Sequence, residues 1–250
     1  MFNLFKKKSG KIANSDLSFI GVDMHSHLLP GIDDGLQELQ ESVAFIKELA
    51  QLGYKKLICT PHILTDLYPN SPQTILPKLQ LVKDAIEKEG IDIQIEAAAE
   101  YMVDHSFAEL IAKKNQDELL TIGGKYILIE MSYLSASPNI DQIVFDLSMM
   151  NLTPILAHPE RYNYYHRHFE QYEHFKERGC KLQVNLLSLT GVYGPSVQKT
   201  AEKLLKAGMV DFLGTDMHHE KHLFMLKSLS TRPEFYEIVK DALLLNKTLL

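Results

Sequence analysis

Tryptophan is absent from this chain, and its 250 residues hold two cysteines, Cys59 and Cys180. Two thiols cannot build a disulfide framework or a cysteine-rich zinc site, and such sparing use suits a reducing compartment. No apolar run approaches the roughly 18 residues that a membrane-spanning helix needs. Positive charge is also in deficit. The 26 Lys+Arg stand against 32 Asp+Glu, a formal net charge of −6, which argues against nucleic acid as the main partner. The N-terminus, MFNLFKKKSGKIANS, places Phe2, Leu4 and Phe5 before Lys6 to Lys8. That order is the reverse of a signal peptide, and no apolar core follows. A cytoplasmic protein is expected. Residues 1–18 read as a solvated basic tail, with a loose contact to the inner face of the membrane as the alternative.

Histidine, in contrast, is plentiful: 11 residues, as many as Phe or Tyr. From residue 19 onward, β-branched runs alternate with amphipathic segments. The runs are Phe19–Met24, Lys55–Thr60, Asp92–Ala97, Tyr126–Glu130, Thr153–Ala157, Lys181–Asn185 and Val210–Gly214. Helical periodicity covers Glu41–Leu52, Ser71–Glu89, Ser137–Met150, His166–Arg178 and Pro195–Ala207, and Thr231–Lys247 reads as a closing helix. The alternation predicts βα units around a parallel sheet, in one α/β domain over 19–250. A barrel is expected, with an open doubly wound sheet as the alternative.

Most of these runs end in metal-ligand residue types. The first gives Asp23-Met24-His25-Ser26-His27, followed by Asp33-Asp34-Gly35; later come His62, Glu100, Glu130, His158 and Asp216-Met217-His218. In a barrel, the carboxyl ends of parallel strands converge on one mouth. Residues two apart on an extended strand face the same side, so His25 with His27, and Asp216 with His218, can each grip one ion. Imidazole with carboxylate suits Zn, Fe or Mn. Each element has a bland reading alone: a chance H-x-H, a helix-capping Glu, a core His. Their repetition at successive strand ends favours metal, and the donor count implies two or three ions.

The motifs D-M-H-S-H…D-D-G, T-P-H, A-E-Y, I-E-M-S, A-H-P-E-R-Y and T-D-M-H together resemble the polymerase and histidinol phosphatase (PHP) superfamily. The H-P-E-R-Y and I-E-M-S forms are similar to its branch of bacterial metal-dependent tyrosine phosphatases of the CpsB/YwqE type. The resemblance runs from about Phe19 to the C-terminus. It implies a distorted (β/α)7 barrel of the PHP type with a three-metal site, usually supported by manganese. It also implies action on the phosphotyrosines of a membrane tyrosine kinase that controls capsular or extracellular polysaccharide. The ligands carried over are His25, His27, Asp34, His62, Glu100, Glu130, His158, Asp216 and His218; of the adjacent Asp33 and Asp34, the family pattern favours Asp34. Arg161 matches the arginine aimed at the substrate phosphate, and the neighbouring Tyr162 is the candidate substrate wall. Relatives carry a second arginine a few residues after D-M-H. This chain reads His219-Glu220-Lys221-His222 there, which leaves Lys221 or His222 to take its place.

The expected chemistry is metal-activated hydroxide attack on the phosphate, with Arg161 on the equatorial oxygens and His62 or His218 protonating the leaving phenolate. A thiol phosphatase would need an arginine in the loop after its cysteine. Neither Thr60–Thr65 after Cys59 nor Lys181–Leu186 after Cys180 contains one, and both cysteines read as small buried apolar residues. The rival readings are a small-molecule phosphoesterase, such as one acting on histidinol phosphate, and a non-catalytic regulator that docks on the kinase.

Overall fold

The computed structural model describes residues 16–250; Phe2, Phe5 and Lys6 to Lys8 lie outside the described residues. Among the described residues nine short strands, all paired in parallel, form two sheets. The first sheet has the order β1 (Val22–Asp23), β2 (Lys56–Cys59), β4 (Gln94–Ala97). The second runs β3 (His62–Ile63), β5 (Glu100–Met102), β6 (Tyr126–Glu130), β7 (Thr153–Ala157), β8 (Lys181–Asn185), β9 (Phe212–Gly214).

The two sheets belong to one ring. Strand β2 continues into β3 across Thr60-Pro61, and β4 continues into β5 across Ala98-Ala99. Pro61 has no N–H to give a ladder, so the first of these strands bends there. Hydrogen bonds carry the pairing across both breaks: Thr60 N to Ser26 O at 2.7 Å, Ala98 N to Cys59 O at 2.8 Å, and Glu100 N to Pro61 O at 3.1 Å. Counted this way, seven strand paths follow one another in chain order. The last meets the first through a parallel bridge between Ser26 and Met217, with Asp216 N donating to His25 O at 2.8 Å. The architecture is a distorted α/β barrel, and the seven sequence runs correspond to its seven paths. What the runs did not reveal is the bending that splits two of them.

Period-two alternation divides the core in two. On β6, Tyr126 and Leu128 face a small inner cluster with Val22, Met24, Ile58, Ile155 and Phe212. Their neighbours Ile127 and Ile129 face the larger layer shared with the helices. That outer layer receives, among others, α1 (Leu39–Gln51), α2 (Pro72–Lys88), α4 (Ile140–Met149) and α6 (Pro195–Lys206).

Three helical expectations need correcting. Helices α3 (His105–Ala112) and α7 (Glu220–Leu229) occur where none was expected. For α3 the signal was present: the Asp104 carboxylate accepts from Phe107 N at 2.8 Å, an N-cap. The closing helix over Thr231–Lys247 is not continuous. It is α8 (Pro233–Val239), then irregular chain, then a single turn over Asn246–Leu249. The break places the Asn246 side chain inside the barrel floor, where its amide serves Val22 O, Leu213 O and Leu213 N.

Candidate metal centre

All nine residues expected as ligands sit at or just beyond the carboxyl ends of the strand paths. Register sets His62 on β3 level with Glu100 on β5, while Glu130 on β6 lies opposite Met102, two residues beyond Glu100. Two strands end in left-handed backbone, at His158 (φ 35°) after β7 and Asp216 (φ 50°) after β9. Such conformations are costly for residues other than glycine and persist where the surroundings over-determine them. Here the strained turns aim an imidazole and a carboxylate inward.

The donor atoms converge. Among the described residues, four overlapping groups bring ligand atoms within 4.8 Å of one another: His27, Asp34, His62 and His218; His25, His27 and Asp216; His25, Glu100 and His158; His62, Glu100 and Glu130. These groups contain the nine expected residues and no others. Glu100 Oε2 lies 3.2 Å from His25 Nε2 and 3.1 Å from His62 Nδ1, while its Oε1 lies 3.0 Å from His158 Nε2. Asp34 Oδ1 stands 3.4 Å from both His62 Nε2 and His218 Nε2.

The donor set fits divalent cations. His62 Nδ1, Glu100 Oε2 and His158 Nδ1 are buried yet make no hydrogen bond, a condition that native structures seldom tolerate without an ion or water. His62 Nδ1 is 2.8 Å from Glu130 Oε1, close but misaligned. Electrostatics agree. Burial pushes the His25 and His27 imidazoles toward neutrality, but Glu100, Asp216 and Asp33 overcome it and raise both above the ordinary value. For His62 the same contest, led by burial and then by Glu100, ends at about 11. Burial opposes the ionised forms of Glu100 and Asp216, yet the facing histidines hold both carboxyls well below their usual range. A field that draws positive charge onto imidazoles is equally suited to a metal ion.

Outer partners fix the ring orientations. His27 Nδ1 donates to Asp33 Oδ2 at 2.7 Å, and His25 Nδ1 donates to Gln183 Oε1 at 2.8 Å, so both Nε2 atoms face inward. Asp33 also accepts from Gly35 N at 2.9 Å and His62 N at 3.2 Å. Its oxygens are thus committed to the chain, whereas Asp34 belongs to a candidate group and Asp33 does not. A relay continues from Gln183: its Nε2 donates to Asn185 Oδ1 at 2.9 Å, and Asn185 Nδ2 donates to Asp216 Oδ2 at 2.6 Å. Neither Gln183 nor Asn185 was expected. Their signal was the alternation in K-L-Q-V-N, which sends two amides inward from a strand whose other face is apolar. Glycines make room: a Cβ on Gly35 would sit 2.2 Å from His27 O, and one on Gly214 would sit 2.8 Å from His25 Cβ.

Above the donors opens a cavity of about 610 Å³ whose lining includes Tyr68, Tyr133, Arg161, Tyr193 and His222. Arg161 is its only lysine or arginine among the described residues, and Arg161 Nη1 donates to Asp216 Oδ2 at 3.1 Å. The expected second phosphate contact does not take shape. Lys221 is exposed and outside the lining. His222 lines the cavity, but burial, then His219, push it down to about 4, which leaves it neutral. Tyr162 is displaced from the role of wall as well. It is fully buried, and its hydroxyl accepts from Met131 N at 2.9 Å. Tyr133 and Tyr193 line the cavity instead, neither singled out by the sequence. Cys59 and Cys180 are buried, and burial pushes both thiols up to about 12.

Comparison with known proteins gives a consistent set of relatives. The family description "Capsular polysaccharide synthesis, CpsB/CapC" matches residues 21–224. The tyrosine-protein phosphatase YwqE of Bacillus subtilis is 26% identical over 221 residues, covering 88% of this chain and 84% of the relative. The tyrosine-protein phosphatase CpsB of Streptococcus pneumoniae is 25% identical over 226 residues, covering 88% of each. Among solved structures, a chain from the crystal structures of YwqE from Bacillus subtilis and CpsB from Streptococcus pneumoniae, described as unique metal-dependent tyrosine phosphatases, superposes with a TM-score of 0.76 at 24% identity, covering 92% of this chain and 94% of the other. Histidinol phosphate phosphatase from Lactococcus lactis, solved with zinc, L-histidinol and phosphate, shares the fold at a TM-score of 0.51 and 16% identity, covering 88% and 91%.

Proposed function

We propose that this chain, which belongs to the CpsB/CapC family of capsular polysaccharide synthesis, is a metal-dependent protein-tyrosine phosphatase. The observation that carries the reading is the gathering of nine donors into four overlapping groups beneath a single arginine. Its relatives' names point the same way. The substrate is phosphotyrosine on a bacterial tyrosine kinase that controls capsular or extracellular polysaccharide, and the enzyme acts on the cytoplasmic side. Among the described residues, no helix is long and apolar enough to cross a membrane.

Two or three ions, manganese foremost, would be held by His25, His27, Asp34, His62, Glu100, Glu130, His158, Asp216 and His218. Bound there, they would neutralise the phosphate dianion and supply hydroxide at neutral pH. The protein's own part begins with Arg161, whose guanidinium grips the equatorial oxygens where charge gathers. The aromatic wall offered to the substrate ring is Tyr68. A phenol leaves readily, with a pKa near 10, so water can return its proton while His62 and His218 stay with the metal. Asp33, Gln183 and Asn185 keep the donors aligned through the reaction. No thiol takes part, because both cysteines are buried away from the cavity.

The test compares manganese-loaded protein on a tyrosine-rich phosphopeptide and on histidinol phosphate. The reading expects kcat/KM at least about tenfold higher on the peptide. Equal or reversed preference assigns the site to a small-molecule phosphoesterase. Inactivity on both substrates with manganese, iron and zinc points to the docking regulator.

A further inference from the structure

The Arg161 guanidinium packs over two aromatic rings. Its Cζ is 4.4 Å from the centroid of Tyr133 and 4.3 Å from the centroid of Tyr193. The two tyrosines arrive from separate elements, Tyr133 from the loop after β6 and Tyr193 from the Gly191–Gly194 turn before α6. We propose that Tyr133 and Tyr193 are positioning residues that hold Arg161 for the substrate phosphate by clamping the two faces of its guanidinium. The proposal rests on the phosphatase reading given above.

The physical advantage lies in which part of the group is used. Guanidinium binds phosphate through its N–H edge, and it has five such donors. Positioning by hydrogen bonds would consume those donors. Stacking consumes none, because rings attract the cation through its face. Among the described residues the Arg161 side chain makes one hydrogen bond, Nη1 to Asp216. Its remaining donors stay available at the cavity. With no second arginine or lysine among the described residues lining this cavity, the grip on phosphate depends on one side chain, and a free arginine would lose much of it to rotamer entropy.

The supports of both rings are built in. Gly191 (φ 79°) and Gly194 (φ 99°) give the Tyr193 turn a shape that side-chain-bearing residues resist, and a Cβ on Gly191 would meet Gln198 Oε1 at 2.9 Å. Tyr193 also meets the edge of His222, centroids 6.4 Å apart at 85°. On the other side Tyr133 packs on His158, centroids 5.7 Å apart. The Tyr193 hydroxyl is buried and has no hydrogen-bond partner. The contact with Arg161 is made by the ring and not by the hydroxyl.

That distinction makes the proposal testable with full-length, metal-loaded protein. Four single variants, Tyr133→Phe, Tyr193→Phe, Tyr133→Leu and Tyr193→Leu, are compared for KM and kcat on a phosphotyrosine peptide and for binding of inorganic phosphate by calorimetry. The phenylalanine variants keep phosphate affinity within about threefold of wild type; the leucine variants weaken it, and raise KM, by about tenfold, with a smaller change in kcat. In an Arg161→Lys background, Tyr193→Leu weakens phosphate binding less than about twofold, since a lysine needs no clamp. Phenylalanine variants as weak as the leucine ones would overturn the proposal, and so would a full tenfold loss in the lysine background. Tyr133 is 44% exposed, so Tyr133→Leu reports even if Tyr193→Leu misfolds. Wild type that is inactive on phosphotyrosine would refute the phosphatase reading, while phosphate calorimetry would still judge the clamp.

Discussion

The two ends of this barrel are made from the same strands and differ in how the chain treats its polar groups. At the amino end Asn246 closes the floor: its side chain takes the carbonyls of Val22 and Leu213 and the amide of Leu213 within 3.0 Å. Nearby, Lys56 Nζ donates to Leu249 O at 2.7 Å and pairs with Glu96 at 2.8 Å. At the carboxyl end, four carboxylates and five imidazoles crowd together, three of their buried atoms make no hydrogen bond, and two strand ends are held in left-handed backbone. Three such atoms gathered within one cluster of facing donors mark where something else is meant to bind.

Substitutions at each end should separate accordingly. The largest effect is expected from His25→Ala combined with His27→Ala, which removes inward donors from three of the four groups. Phosphotyrosine hydrolysis should fall by more than about a thousandfold in a steady-state assay, because the metal supplies several kcal/mol of the stabilisation. The outer partners come next. Gln183→Ala and Asp33→Ala leave each donor in place but free its ring, so metal affinity or activity should drop about 10- to 100-fold, read by metal titration. If either changes nothing, ring orientation is not set as described.

The floor predicts the opposite signature. Asn246→Ala strands buried backbone groups on two strands and should cost about 2–4 kcal/mol in denaturant unfolding. Its kcat per folded, metal-loaded molecule should stay at the wild-type value. A large loss of kcat would break the separation between the two ends. The smallest effect is expected at the thiols. Cys59→Ser with Cys180→Ser, and iodoacetamide on the native protein, should leave activity within about twofold, since thiols pushed up to about 12 by burial hold almost no thiolate at neutral pH.

The carboxyl end was also the more legible in sequence, because its chemistry is written in residue types that have few other reasons to recur at strand ends. His25, Glu100 and Asp216 could be named without a fold, since convergence follows from parallel strands alone. The strand paths were legible through β-branched runs. Pairing direction does not show where a strand bends, so the breaks at Pro61 and Ala98 were not. Tyr133 and Tyr193 escaped notice because loop tyrosines carry no periodicity, and only the fold brings both rings against Arg161. Lys221 illustrates the converse: adjacency to a motif placed it near the site in sequence, while the register of α7 turned it to solvent. Asn246 had no signal at all, its role being to join β1 and β9, one of them through a bond to Val22 that spans 224 residues of chain.

The most direct test is metal dependence measured on one sample throughout. Protein stripped with a chelator is assayed on a phosphotyrosine peptide, then titrated with manganese while bound metal per chain and activity are followed together. The account predicts no hydrolysis by the stripped protein and recovery in step with two or three ions bound at the carboxyl end. Undiminished hydrolysis by the stripped protein would contradict it.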